Sequence, residues 1–367
     1  MTSTPSRRDF LRYSLGAGVA VVGLPALLAA CGSDSSSSSS SDTAAGGGAR
    51  GKATVRLSYT HGTAFAGTYL AVADGFYQQE GFDKVELIGG GPSATPPVTD
   101  VTVGKALVGL VSTPDQVAAA RLNNDQPVKI IGALYQKNPY CVTSLASDPI
   151  RTPQDMVGKT IGVQAANETV WNAFLAAAGI DPDSIETVPV QFDPSPLTAK
   201  QVQGWFSFIT NEPVTLAAAG VDVETMLLAD FGYPLVGQCY VATDKSIAER
   251  PDDLKAVLAA EVKGWTKSLE EPASGAQIAI DEYASDLGLD LEVQTELSKV
   301  QNQLILTDET RANGLMTMTT ALIEGNLETL AASGLDISAD DLFDLSLLEV
   351  LYAERPELVG ALADIQV

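Results

Sequence analysis

One histidine stands in the 367 residues, and it stands in a loop, Thr60-His61-Gly62-Thr63-Ala64-Phe65. A histidine-based triad would have to use that ring, and a multi-histidine metal site is impossible. Around it, the loops expected at strand exits carry Tyr59, His61 and Phe65, then Ser112 and Thr113, Tyr135 and Gln136, Asn167, Glu212 and Tyr233. They hold scarcely any cation, with Lys137 as the lone candidate. An anion site would call for Arg or Lys, or for several well-aimed amide donors. Aromatic rings beside a carboxylate suit a flat, neutral or cationic heterocycle, stacked on its faces and hydrogen-bonded at its edge. No cofactor and no metal is called for, and no residue is assigned a catalytic role.

The elements that would hold these loops follow from the hydrophobic pattern. Val55, Leu57 and Tyr59 alternate as in a half-buried strand, Tyr69, Val72, Ala73 and Phe76 fall on one helix face, and Val85 to Ile88 forms a return strand. This is a βαβ unit, and the His61 loop leaves the carboxyl end of its first strand, the edge where open parallel sheets bind ligands. Further strands are expected at Ala106–Val111, Val128–Leu134, Tyr140–Leu145, Thr160–Val163, Thr187–Gln191, Trp205–Ile209, Glu224–Ala229 and Cys239–Ala242. Helices are expected to start at Ser112-Thr113-Pro114-Asp115, to run from Glu168 to Ala178 with Asn167 as the N-cap, to fill Leu197–Gln203 and to start at Thr210-Asn211-Glu212-Pro213. Beyond residue 243 the pattern is helical, with Leu254, Val257, Leu258, Val262 and Trp265 in one core stripe. Gly89-Gly90-Gly91 at a strand exit is neither a dinucleotide fingerprint nor a P-loop. Two lobes are expected from the length.

The amino terminus reads as an address. Ser6-Arg7-Arg8-Asp9-Phe10-Leu11-Arg12 is a twin-arginine signal, an apolar run follows, and Leu28-Ala29-Ala30-Cys31 matches a lipobox, so Cys31 is expected to become the lipid-modified first residue. The Ser/Gly-rich segment that follows cannot bury apolar surface and would act as a tether with a reach of roughly 20–25 Å. After residue 31 no apolar run approaches the ~20 residues of a membrane span. The mature protein is therefore expected on the extracytoplasmic face, held to the membrane through the lipid on Cys31. A net charge of −24 repels nucleic acid and anionic lipid. Cys141 and Cys239 are expected where the chain changes lobe, as buried free thiols more readily than as a disulfide.

Three segments carry a family resemblance: TYLAVADGFYQQEGF in the first unit, Pro153-Gln154-Asp155-Met156-Val157-Gly158-Lys159, and Asn211-Glu212-Pro213. The chain resembles ABC-importer substrate-binding proteins of the thiamine-precursor, nitrate, sulfonate and taurine branch over roughly residues 55–345. The resemblance implies an α/β, two-lobed periplasmic-binding-protein-like fold of type II with two crossover segments and a helical C-terminal extension. It divides the chain into signal 1–30, tether 31–52, lobe one 53–140, lobe two 141–235 and a return to lobe one at 236–367. It also implies a small-molecule ligand, permease subunits as partners and no enzymatic activity. In that setting Glu212 would accept paired hydrogen bonds from an aminopyrimidine, against the alternative that it only complements its helix dipole. A sulfonate, nitrate or taurine ligand remains the second reading and a ligand sensor without transport a third. The fungal pyrimidine synthase that resembles this fold needs a histidine set and a cysteine-rich motif absent here.

Overall fold

A computed structural model describes residues 50–91 and 93–367. The signal, Cys31 and most of the tether lie outside the described residues, which all fall in one compact unit, Gly47–Val367. The first lobe is laid down by β1 (Lys52–Arg56), α1 (Ala66–Ala73), α2 (Phe76–Gln79), β2 (Lys84–Ile88), α3 (Pro97–Thr102), β3 (Val108–Val111), α4 (Pro114–Asn124) and β4 (Val128–Tyr135). The second takes β5 (Tyr140–Leu145), β6 (Thr160–Gln164), α5 (Glu168–Ala177), β7 (Glu186–Val190), α6 (Ser195–Thr198), β8 (Gly204–Phe208), α7 (Glu212–Ala218) and β9 (Val223–Leu227). The chain then returns through β10 (Gly237–Thr243) and continues as α8 (Asp244–Glu249), α9 (Pro251–Glu270), α10 (Pro272–Ile278) and α11 (Leu291–Ile305). It closes with α12 (Asp308–Asn313), α13 (Thr320–Ala332), α14 (Ala339–Leu342), α15 (Ser346–Glu354) and α16 (Glu357–Gly360).

Each lobe is built on a mixed five-stranded sheet, in the orders β2-β1-β3-β10-β4 and β7-β6-β8-β5-β9. β1, β2 and β3 run parallel, as do β6, β7 and β8. β10 runs antiparallel to β3 and β4, and β5 antiparallel to β8 and β9. The inner strands are buried on both faces, which is why they read as nearly continuous apolar runs. In β8, Trp205 packs with Leu197, Val202 and Leu216 on one face, while Phe206 meets Trp171 on the other.

Four local expectations change. The first strand ends at Arg56, short of Leu57 and Tyr59, and Ala53 to Arg56 are all buried, because β1 is flanked by β2 and β3 and covered on both faces, so the alternation of a half-buried strand is absent. The single amphipathic helix through Phe76 is cut in two, because Gly75 takes a left-handed conformation at φ 70° and restarts the chain as α2. The helix expected across Leu197–Gln203 is only the turn Ser195–Thr198, after which Lys200 adopts φ 58° and the chain feeds into β8. Asn167 precedes α5 without a side-chain capping bond. Its Nδ2 instead donates to Gln164 Oε1 at 2.9 Å, and Gln164 Nε2 donates to the Phe206 carbonyl at 2.9 Å, so a relay of side-chain amides ties the start of α5 to β8.

The lobes are joined twice, by the short passage from β4 to β5 and the longer one from β9 to β10. Buried Asn138 ties the two passages together: its Nδ2 donates to the carbonyls of Tyr233 at 2.8 Å and Leu235 at 3.1 Å, and its backbone N–H donates to Leu235 at 2.8 Å. Asn326 of α13 accepts from the Val236 N–H at 3.0 Å and supports the longer passage from outside. Cys141 and Cys239 lie just beyond these passages, one in each sheet, buried and unbonded to each other. Burial pushes both thiols well above their ordinary pKa.

Under the first sheet, α1 crosses α9 at backbone contact. A Cβ on Gly67 would stand 2.2 Å from the Trp265 ring, and one on Gly264 would stand 2.2 Å from the Gly67 carbonyl oxygen. Beside that crossing, fully buried Glu261 accepts from Thr68 at 2.7 Å, from Tyr240 at 2.6 Å and from Tyr77. Three hydroxyls around one carboxyl let it lie inside the lobe without a cation.

Candidate functional site

The loops that leave β1, β3, β6 and β8 all end at the side of the sheets where the two passages cross. Their first product is an aromatic group on the first lobe. The His61 Nδ1 lies 3.1 Å from Tyr69 Oη, and the Gly62 N–H donates to the same oxygen at 3.2 Å. The Tyr69 hydroxyl thus bridges the imidazole and the loop backbone. Burial lowers the His61 pKa, which keeps the ring neutral. Tyr283 stacks on Tyr69 with centroids 3.9 Å apart at 11°, and on His61 at 5.4 Å and 24°. Gly89 makes room for this ring: a Cβ there would come within 2.9 Å of the imidazole.

Tyr283 ends a π-helical turn, Ala279–Tyr283, inserted after α10. Such turns bulge the backbone and re-aim one side chain, and they are frequent at functional sites. Phe65 is buried and meets Tyr69 edge-on at 6.4 Å, so it backs the stack from the core. Tyr59 keeps half of its surface exposed, at 50%.

A second group gathers at the passages. Thr113, at the start of α4, is buried beside Asp115 and Tyr140, and its hydroxyl favours the ionised form of both. Burial nevertheless raises the pKa of Asp115, and the charge of Asp115 adds to the burial that raises Tyr140 and Tyr233. Those three side chains therefore share one low-dielectric space. The residue Asp115 is partly open to solvent, but its Oδ1 is shut off and has no hydrogen-bond partner among the described residues.

Glu212 lies on the other lobe, beside the end of β8. As the first residue of α7 it is buried, and its Oε2 accepts from the Phe208 N–H at 3.0 Å. Burial raises its pKa against that bond, so the carboxyl is held near the helix start at the expense of its charge. Phe208 packs edge-on against Tyr140 at 4.9 Å. Tyr140 thus meets the strand end whose backbone holds Glu212. Neither Asp115 nor Glu212 has an ion pair among the described residues, and Lys137, the cation closest along the chain to Tyr140, is bound to Asp230 at 2.6 Å.

Gln238 joins the two groups. Its Nε2 donates to the Ala64 carbonyl at 2.8 Å and its N–H to the Ser112 carbonyl at 2.9 Å, in a left-handed conformation at φ 46° that a non-glycine residue rarely adopts. Ser112 thus faces the junction through its backbone. Gln136 has its amide committed to the Ala133 carbonyl at 3.0 Å and Tyr135 is buried at the end of β4, so both build the passage from within. Of the residues expected from the sequence, the structure places Thr113 and Tyr233 near Asp115 and Tyr140, and keeps Glu212 beside Phe208 of its own lobe. His61 heads the aromatic group, and Asn167 stays with Gln164. Tyr69, Tyr283, Tyr140, Asp115 and Gln238 were not foreseen as site residues.

Residues 62–274, more than half of the chain, match the model of the family described as NMT1/THI5 like. The chain belongs to that family. A riboflavin-binding protein, RibY of Chloroflexus aurantiacus, is 26% identical over 263 residues, covering 69% of this chain and 74% of its own. A formylaminopyrimidine-binding protein of Halalkalibacterium halodurans is 25% identical over 248 residues, covering 64% and 73%. Among solved structures, a putative periplasmic sulfonate-binding protein SsuA of Methylobacillus flagellatus superposes with a TM-score of 0.61 at 15% identity, covering 84% of this chain and 96% of its own. The desulfurization enzyme DszB superposes at 0.58 and 13% identity, covering 83% and 100%. At such identities the superpositions speak for the fold, which is that of the periplasmic-binding-protein-like structures, and the NMT1/THI5-like chain shares it with binders of different chemistry.

Proposed function

We propose that this NMT1/THI5-like chain is the substrate-binding protein of an ABC importer, exported by a twin-arginine signal, tethered through a lipid on Cys31, and selective for a flat nitrogen heterocycle that carries hydrogen-bond donors. The observation that carries the ligand class is a carboxyl on each lobe, Asp115 and Glu212, with no ion pair among the described residues, together with the aromatic groups of His61, Tyr69 and Tyr283 and of Tyr140 and Phe208. A carboxylate there gains from amino and ring N–H donors, while an oxyanion would meet two like charges with no Arg or Lys to offset them. The two relatives named for riboflavin and a formylaminopyrimidine bind ligands of the favoured kind. Delivery would follow from closure of the lobes about the two passages, with the closed form presented to permease subunits.

The test is calorimetry of the mature protein and of Glu212→Gln against a thiamine-type aminopyrimidine, riboflavin, taurine and nitrate. The expected result is binding of a heterocycle that weakens roughly tenfold or more in the variant, the scale of one charge-assisted hydrogen bond. Preference of the wild type for taurine or nitrate sinks the ligand class. Membrane retention that survives Cys31→Ala sinks the anchor.

A further inference from the structure

Among the described residues, four other than glycine adopt a positive φ: Asp125, Lys200, Gln238 and Met316. Asp125 and Lys200 are exposed and Met316 is apolar, so Gln238 alone is both buried and polar, with 5% of its surface exposed. It is the second residue of β10, and its neighbours Gly237 and Cys239 pair with Tyr135 and Ala133 of β4 while Gln238 itself drops out of both ladders. Glycine or asparagine would take this backbone at less cost. A strained residue of another type persists where its surroundings over-determine it. Here they do so through two bonds, from the N–H to the Ser112 carbonyl at 2.9 Å and from Nε2 to the Ala64 carbonyl at 2.8 Å. A carbonyl only accepts, so the nitrogen end of the amide must face Ala64.

Ala64 is the middle of the turn Thr63–Phe65 that closes the His61 loop. The far side of that turn is pinned by the Thr63 hydroxyl, which donates to Gln294 of α11 at 2.6 Å. Just before it, His61 and the Gly62 N–H meet the Tyr69 hydroxyl on which the ring stack is built. We propose that Gln238 is a positioning residue of the ligand site: through its bond to Ala64 it sets the His61 loop against β10, where His61, Tyr69 and Tyr283 can stack. The length of the glutamine is what the strained backbone serves, since asparagine, one methylene shorter, would ease the backbone but fall short of Ala64. This rests on the reading of the first-lobe aromatic group as part of a heterocycle site and adds the residue that holds it in place.

The experiment compares the untagged mature protein with Gln238→Asn and Gln238→Met. The first eases the backbone and removes the reach; the second keeps the length and the strain and removes the donor. Each is measured for Tm, for calorimetric affinity toward a thiamine-type aminopyrimidine and riboflavin, and by proton NMR of His61, the chain's single histidine. Both variants should bind the heterocycle that wild type binds about fivefold more weakly, the scale of one neutral hydrogen bond. Both should move the His61 imidazole signals, while Tm falls for Gln238→Met and holds or rises for Gln238→Asn. Weaker binding by a variant as stable as its parent is a result that general destabilisation does not give. Binding by Gln238→Asn within threefold of wild type overturns the role and leaves the proposed function standing. If wild type binds neither heterocycle, the proposed function falls, and the placing of the loop is still decided in ligand-free protein: His61 signals that stay put in both variants overturn it. Should Gln238→Asn not fold, Gln238→Met is read against the same threefold limit and the same signals, well below its Tm.

Discussion

The backbone contact between α1 and α9 makes Gly264→Ala a sharp perturbation. In an open helix the change favours the folded state by about 1 kcal/mol, because alanine has the higher helix propensity. Here the new methyl would meet the Gly67 carbonyl oxygen at 2.2 Å and the Ala71 Cβ and backbone nitrogen at 2.7 Å each. Backbone cannot rotate away as a side-chain tip can, so α1 must lift from α9 by about 1 Å to restore ordinary contact. Overpacking of this kind costs about 1–3 kcal/mol, with the upper part of that range expected where the obstacle is main chain. After the propensity gain, a net loss of about 1–2 kcal/mol should appear as a fall in Tm of roughly 2–6 °C. Differential scanning calorimetry reads it directly. α1 also carries Tyr69, so the near-ultraviolet circular dichroism of the tyrosine stack should change with it. Gly325→Ala in α13 is the matched control, since its methyl would meet only Pro234 Cγ at 3.6 Å. That variant should hold or gain up to about 1 kcal/mol. A Gly264→Ala protein as stable as the parent, or two variants that shift alike, would refute the close crossing.

Glu80 is bound by Lys263 at 2.7 Å and by Arg355 at 2.9 Å; burial works to raise its pKa, the two cations outweigh it, and the folded value is lowered. Its contribution is therefore present above the ordinary glutamate pKa of about 4.3 and fades as pH falls through the lower folded value, so Glu80→Gln should lose about 1 kcal/mol in urea titrations at pH 7 and the difference should shrink as the pH is lowered below that range. Tyr283→Ala should weaken binding of the heterocycle roughly three- to tenfold by removing one aromatic contact, and unchanged affinity by calorimetry would take Tyr283 out of the site. In protein carrying Cys31→Ala, Cys141 and Cys239, both at 0% exposure, should resist maleimide labelling when native and react fully in urea; one reactive thiol in the native state would contradict the burial.

The alternation of strands and helices was legible because buried parallel strands and glycine-terminated helices leave local patterns, and Glu212 was legible because it follows a strand in a short motif. Tyr283 was not, since its place depends on a π-helical turn and on contacts with residues more than 200 positions away along the chain. Asp115 stood in plain view as an acid in a first helical turn, a position where charge usually only complements the dipole, and its isolation comes from Tyr140 and Tyr233, which the chain delivers later. Asn167 had the right type and place for a cap, but Gln164 offered its side chain a nearer partner. Gln238 gave no signal at all, because its left-handed backbone is imposed by the bonds it makes on both sides.

The position of β10 governs the order in which the molecule can be made. It separates β3 from β4, so until Thr243 has been synthesised the first sheet is three strands with a detached fourth, and two strand edges lie open. The second sheet draws on the continuous segment Tyr140–Leu227 alone. The later lobe in sequence is thus the first that can close, and the earlier lobe waits for β10 and for α9, which covers it. A chain stalled or cut before residue 243 would offer both open edges to another copy. For cargo that must cross the membrane already folded, as proposed here, release to the export machinery has to wait for the C-terminal half, and truncations from that end should fail at export before they fail at binding.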